Sequence, residues 1–196
     1  MNKSVIRLGI ITAVVFILYL WGSSVINGFV EVEESAKGQW AKVESSYQRR
    51  ADLIPNLVNT VKGYAEHEQE TLTAVIEARA KATSVTVDPT NITPQQMAAF
   101  QNAQTGLAGA LSKLMVVAEK YPDLKANQNF LELQSQLEGT ENRINVERNR
   151  YSDIVTQYNT SIRKIPGRFF ANLFGFNPMP LFQAEQGSEK APEVKF

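Results

Sequence analysis

The chain has 196 residues, room for one ordinary domain and an additional segment. Twenty basic and twenty acidic residues cancel to a net charge of +0, so no global field argues for nucleic acid. Cysteine is absent, which excludes disulfides, thiolate metal sites, thiol nucleophiles and a lipid-modified cysteine anchor, and the single histidine, His67, cannot supply the imidazoles of a zinc centre.

Leu8 to Val30 are 23 residues without a charge, densest in LGIITAVVFILYLW, which ends at Trp21. At ~1.5 Å per residue this run covers roughly 34 Å, enough for a hydrocarbon layer of ~30 Å. Tyr19 and Trp21 suit the headgroup level. A cleaved signal peptide is the competing reading, but its apolar region runs to only ~7–15 residues. Gly22-Ser23-Ser24 is also a poor cleavage site, so residues 1–30 are read as a short N-terminus and a retained transmembrane anchor. Lys3 and Arg7 precede the run, and Glu31, Glu33 and Glu34 follow it, with Lys37 and Lys42 further on. Only Lys and Arg count in the positive-inside rule, and the slight asymmetry favours a cytoplasmic N-terminus with the remainder extracytoplasmic.

Past Glu31 the apolar residues step by three and four, as on a helix face. One series runs Ala36, Trp40, Val43, Tyr47, Arg50, Ile54, Leu57, Val61, Ala65, Glu68, Leu72, Val75, Arg79. Pro55 interrupts it, removing one backbone hydrogen bond and disfavouring helix at Ile54. The phase holds from Tyr47 through Val61, which favours a kinked helix, whereas Asp52 as an N-cap would suit a break. Thr83–Thr93 reads as a connector, and Thr93-Pro94 as a helix start with a threonine cap. The second helix follows on Met97, Phe100, Gln104, Leu107, Leu111, Leu114 and Ala118, stopping near Tyr121-Pro122. The third opens around Leu124–Asn129 and carries a seven-residue seam of Phe130, Leu137, Ile144, Tyr151, Tyr158 and Ile165, ending at Pro166-Gly167. The fold expected is all-α: the anchor, then residues 31–182 as a bundle of three long helices, four if Pro55 is a break. Residues 183–196 are polar and expected to be disordered.

Catalytic patterns are lacking. His67-Glu68 suggests a zinc-protease helix, but the position one turn on from His67 is Thr71. No GxSxG elbow exists, and the carboxylates suit solvated helix faces and i,i+4 pairs. No cofactor is expected. Charges on the apolar stripes are more informative: Arg50, Glu68 and Arg79 on the first helix, Glu147 on the third. A buried charge without a partner costs several kcal/mol. Arg50 or Arg79 is therefore expected either to pair with Glu147 or another carboxylate across the bundle, fixing register, or to reach outward to water on a wide stripe. At the C-terminal end Arg163, Lys164 and Arg168 lie beside Phe169, Phe170, Leu173, Phe174 and Phe176. Basic residues next to an apolar face suit an anionic membrane surface or a partner's groove. The simpler alternative is that these aromatics cap the end of the core.

The string YQRRADLIPNLVNTVKGYAEHE, from Tyr47 to Glu68, is similar to a signature of the LemA family of bacterial proteins. The ARAKA run at Ala78–Ala82, YPDLKANQNFLELQSQLEGTENRI from Tyr121 to Ile144 and IPGRFFANLFGF at Ile165–Phe176 extend that resemblance to nearly everything between the anchor and Phe182. The resemblance implies a single-pass anchor in a bacterial inner membrane and an up-and-down bundle usually counted as four helices. It supplies no reaction. Some relatives are associated with magnetosome membrane formation, and family descriptions place the short N-terminus outside, opposite to the charge pattern. The function expected is that of a membrane-anchored, non-enzymatic scaffold with protein partners, capable of self-association. The alternative is a lipid-contacting or membrane-remodelling protein that uses the C-terminal aromatics.

Overall fold

The computed structural model describes residues 3–183 and is helical, with no strand among the described residues. The elements are α1 (Lys3–Lys62), α2 (Gln69–Ser84), α3 (Pro94–Ala118), α4 (Pro122–Lys125), α5 (Gln128–Arg163) and α6 (Gly167–Phe174). At ~1.5 Å per residue, α1 is about 90 Å long. It is the one helix among the described residues long and apolar enough to cross a membrane, and almost none of its most apolar stretch is buried. The same unbroken helix then supplies Ala36, Trp40, Val43, Tyr47, Ile54, Leu57 and Val61 to the core.

Of the two readings at Pro55, the continuous helix favoured by the spacing holds, and the break does not. The helix runs through Pro55, and the chain reverses instead over Gly63–Glu68. Proline lacks the N–H that would reach the carbonyl of Ala51, and the guanidinium of Arg79, from α2, takes its place: Nε donates to Ala51 O at 2.8 Å. The spacing masked the true turn because Val61 before it, Ala65 within it and Leu72 and Val75 after it are buried in the same apolar cluster. Lys62 followed by Gly63 was the available signal for a helix end.

Local chemistry sets the other boundaries. Thr93 and Gln96 form a reciprocal capping box at the start of α3, with Pro94 at the first helical position. Asn127 caps α5 through Phe130 N–H at 3.0 Å. The α5 seam stays buried from Phe130 through Tyr158, but Ile165 lies beyond the helix end and is 92% exposed. The pairs Gln39–Glu147 and Arg50–Glu141 climb α1 while descending α5, so these helices run antiparallel. α2 packs on both α1 and α3, and α6 lies against α1 and α5. Between α1, α3 and α5 sits an aromatic cluster in which Trp40 meets Phe100 and Tyr151, each at 5.3 Å between ring centroids.

Past α6 the chain returns along α5. Met179 N–H donates to Asn159 Oδ1 at 2.9 Å while Asn159 Nδ2 donates to Met179 O at 2.8 Å. Phe182 then stacks on Trp40 with ring centroids 5.8 Å apart. Gln183, the first residue of the expected disordered tail, exchanges two hydrogen bonds with the Gln101 side chain. The remainder of that tail lies outside the described residues.

Candidate functional site

Two groups of residues singled out by the sequence occupy different parts of the molecule: the charges on the core stripes, spread along the packed helices, and the aromatic segment against Trp21 and Phe29.

Arg50 is 3% exposed, in the middle of the packed helices. Its Nη1 donates to Glu141 Oε2 on α5 at 2.8 Å, and its Nη2 donates to Gln104 Oε1 on α3 at 2.8 Å. Gln104 in turn donates from Nε2 to Ala82 O, near the end of α2, at 3.3 Å. The guanidinium also stands 5.1 Å from the centre of the Tyr47 ring, a cation–π distance. This side chain thus links α1, α3 and α5, and through Gln104 also α2. Its Nε has no acceptor among the described residues. An arginine fits here because its planar fork presents separated donors in fixed directions and stays charged when buried.

Glu147 does not meet Arg50 or Arg79. It is 4% exposed, and its Oε2 accepts from Gln39 Nε2 on α1 at 2.7 Å. Arg150 lies 3.4 Å from its other oxygen and Arg143 4.0 Å, both with largely exposed side chains. The Gln39 hydrogen bond, aided by Arg150, Arg143 and Lys42, holds the carboxyl below the usual glutamate range, against the opposing effect of burial. Glu68 closes the Gly63–Glu68 turn and accepts from Tyr121 Oη at 3.1 Å. Arg79 serves the Ala51 carbonyl. Of the four flagged charges, none pairs with another. Gln39, Gln104 and Glu141 complete the polar contacts, and only Gln104 had a visible signal, a polar residue in the apolar series of α3.

These groups are engaged with one another and with the backbone. Among the described residues no three His, Asp or Glu side chains are placed to hold a metal ion. The cleft nearest Arg50 has a volume of about 290 Å³, is lined by Glu44, Tyr47, Gln48, Phe100 and Gln104, and lies open to solvent.

The aromatic segment divides. Phe170 packs edge-on to Trp21 with centroids 5.8 Å apart, and Phe176 on Phe29 at 5.4 Å. Ala171 and Gly167 are buried, and a Cβ on Gly167 would overlap Ser161 O and touch Phe29. Gly175, at φ +80°, ends α6 in the left-handed region open to glycine. Phe169, Leu173 and Phe174 are exposed, as are Arg163, Lys164 and Arg168, which form no ion pair among the described residues.

The LemA family model matches residues 39–196. Magnetosome protein MamQ 2 of Paramagnetospirillum magneticum is 24% identical over 180 residues, covering 83% of this chain and 66% of that protein. Magnetosome protein MamQ of Magnetospirillum gryphiswaldense is 23% identical over a stretch of the same length and coverage. Protein LemA of Metamycoplasma hominis is 25% identical over 144 residues, 74% of this chain and 62% of its own length. The chain therefore spans just under two thirds of the length of these relatives. A family match across most of the helical part, on a fold without strands among its described residues, places the chain in the LemA family.

Proposed function

We propose that this chain is a single-pass protein of a bacterial inner membrane whose helical bundle works as a non-enzymatic scaffold for protein partners. The observation that carries the reading is the continuity of α1: one unbroken helix is bare and apolar over Leu8–Trp21 and built into the core from Ala36 to Val61. Whatever binds the bundle is thereby coupled to the bilayer through a rod with no flexible linker. The polar side chains of the core are spent on register between helices, which supports contact rather than chemistry as the mode of action. The magnetosome proteins among the relatives are consistent with a role at a membrane. The slight excess of Lys and Arg ahead of the span favours an extracytoplasmic bundle.

Crosslinking in intact cells, followed by identification of proteins captured on the full chain, tests this. The reading expects a reproducible set of membrane proteins that is absent when residues 1–30 alone anchor an unrelated domain. Identical capture by that control would contradict it.

A further inference from the structure

Trp21 to Phe29, the far end of the apolar run, is where α6 docks, through Phe170 on Trp21 and Gly22 and through Gly167 and Phe176 on Phe29. Only fourteen helical steps lead from Arg7 to Trp21, the first residue of that contact. They span roughly 21 Å at ~1.5 Å per residue, short of the ~30 Å hydrocarbon layer. The first acidic residue after the run is Glu31. If α1 crosses the bilayer, the membrane must therefore reach the level of α6.

The chemistry of α6 suits that depth. At about 100° per residue, Phe169, Leu173 and Phe174 share the side of Phe170, which points at Trp21, and Arg168 and Asn172 fall opposite. Phe169 is 69% and Leu173 65% exposed, and Ile165, just before the helix, is barer still. In water this would be a contiguous apolar patch on a short helix; continuous with the bare flank of α1, it is the surface of an interfacial helix. Arg163 and Lys164, exposed, precede the helix in the chain, and Arg168, also exposed, lies on its opposite side, the one that would face the headgroups.

We propose that α6 lies in the headgroup–acyl boundary, with Phe169, Leu173 and Phe174 in lipid and the three basic side chains on anionic headgroups. The span and α6 then hold the membrane at two points, which fixes the tilt of the bundle as well as its attachment. The proposal rests on the reading of α1 as a membrane anchor.

The chain has no cysteine, so single spin labels can be placed at will. Full-length Val14→Cys, Leu173→Cys and Val116→Cys proteins would be labelled in nanodiscs of mixed phosphatidylcholine and phosphatidylglycerol, one chain per disc. Each label's collisions with oxygen and with a water-soluble nickel chelate report its surroundings. Val116, exposed on α3, is the aqueous reference, and Val14, within the span, is the lipid reference. The expected result is that Leu173 loses most of its nickel collisions relative to Val116 and gains oxygen collisions. Replacing Arg163, Lys164 and Arg168 together by Gln should weaken that shielding. Leu173 as accessible to nickel as Val116, with Val14 in lipid, would overturn the interfacial helix and leave the anchor standing. Val14 in water would overturn both, and unchanged shielding in the triple variant would overturn the headgroup contact.

Discussion

A proline inside a helix leaves the carbonyl four residues before it without a donor. Here that carbonyl belongs to Ala51, and Arg79 supplies the missing hydrogen bond from a different helix. Arg79→Ala should cost about 1–3 kcal/mol, the penalty of an unsatisfied buried acceptor. The cost should shrink when Pro55→Ala is also present, because alanine restores the N–H that Arg79 replaces. A double-mutant cycle by urea unfolding in detergent should give a coupling of roughly 1 kcal/mol, and a coupling near zero would remove this account of how α1 passes Pro55. Proline as a disturbance was legible in the sequence. Its compensation was not, because it comes from a residue 28 positions away across a turn that the spacing concealed.

Arg50 and Glu147 invite separate tests. Arg50→Ala leaves Gln104 Oε1 without its donor in the core and should destabilise by about 3 kcal/mol. Glu141→Gln keeps an oxygen acceptor for Nη1 but leaves the buried guanidinium without its counter-charge, so it should cost about 1–2 kcal/mol, less than Arg50→Ala. Equal costs would show that the ion pair, rather than the burial of the fork, sets the energetics. Glu147 titrates lower folded than unfolded, so its contribution is present above its ordinary value of 4.5 and is lost as the pH falls through that value toward the depressed one. Stability measured against pH should fall less steeply below about pH 5 in Glu147→Gln than in the parent chain.

At the scale of elements, α6 is fastened by close approach. Gly167 has no room for a Cβ between Ser161 O and the Phe29 ring, so Gly167→Ala should displace α6. Limited proteolysis should then cut between residues 163 and 182 at protease levels that leave the parent intact. Unaltered resistance would mean that the contact is not needed to seat the helix. The sequence disclosed the aromatic character of this segment and its two uses, core cap and exposed face, as alternatives. The structure divides them by side chain: Phe170, Ala171 and Phe176 pack inward, Phe169, Leu173 and Phe174 face out. Periodicity over eight residues could not assign them, because the packing partner is a helix more than a hundred residues earlier. The clamp of Asn159 and Gln101 on the returning chain was likewise invisible, since surface amides carry no pattern. The start of α3 was fully legible, because its cap is local.

For the whole molecule, the decisive feature is that the candidate membrane span and the first core helix are one element. A packed body on a continuous helix transmits force and orientation, whereas a body on a flexible tether would transmit only proximity. The sequence pointed to this through an apolar run that passes into a three-four stripe with no Gly/Pro-rich linker between Val30 and Ala36. The account stands or falls on whether Leu8–Val30 remains in the bilayer. Alkaline extraction of membranes from cells making the full chain, followed by intact mass measurement of the pelleted protein, addresses this directly. The chain should stay in the pellet with its N-terminal thirty residues attached. Release into the supernatant, or a mature form cut near Gly22–Ser24, would contradict it.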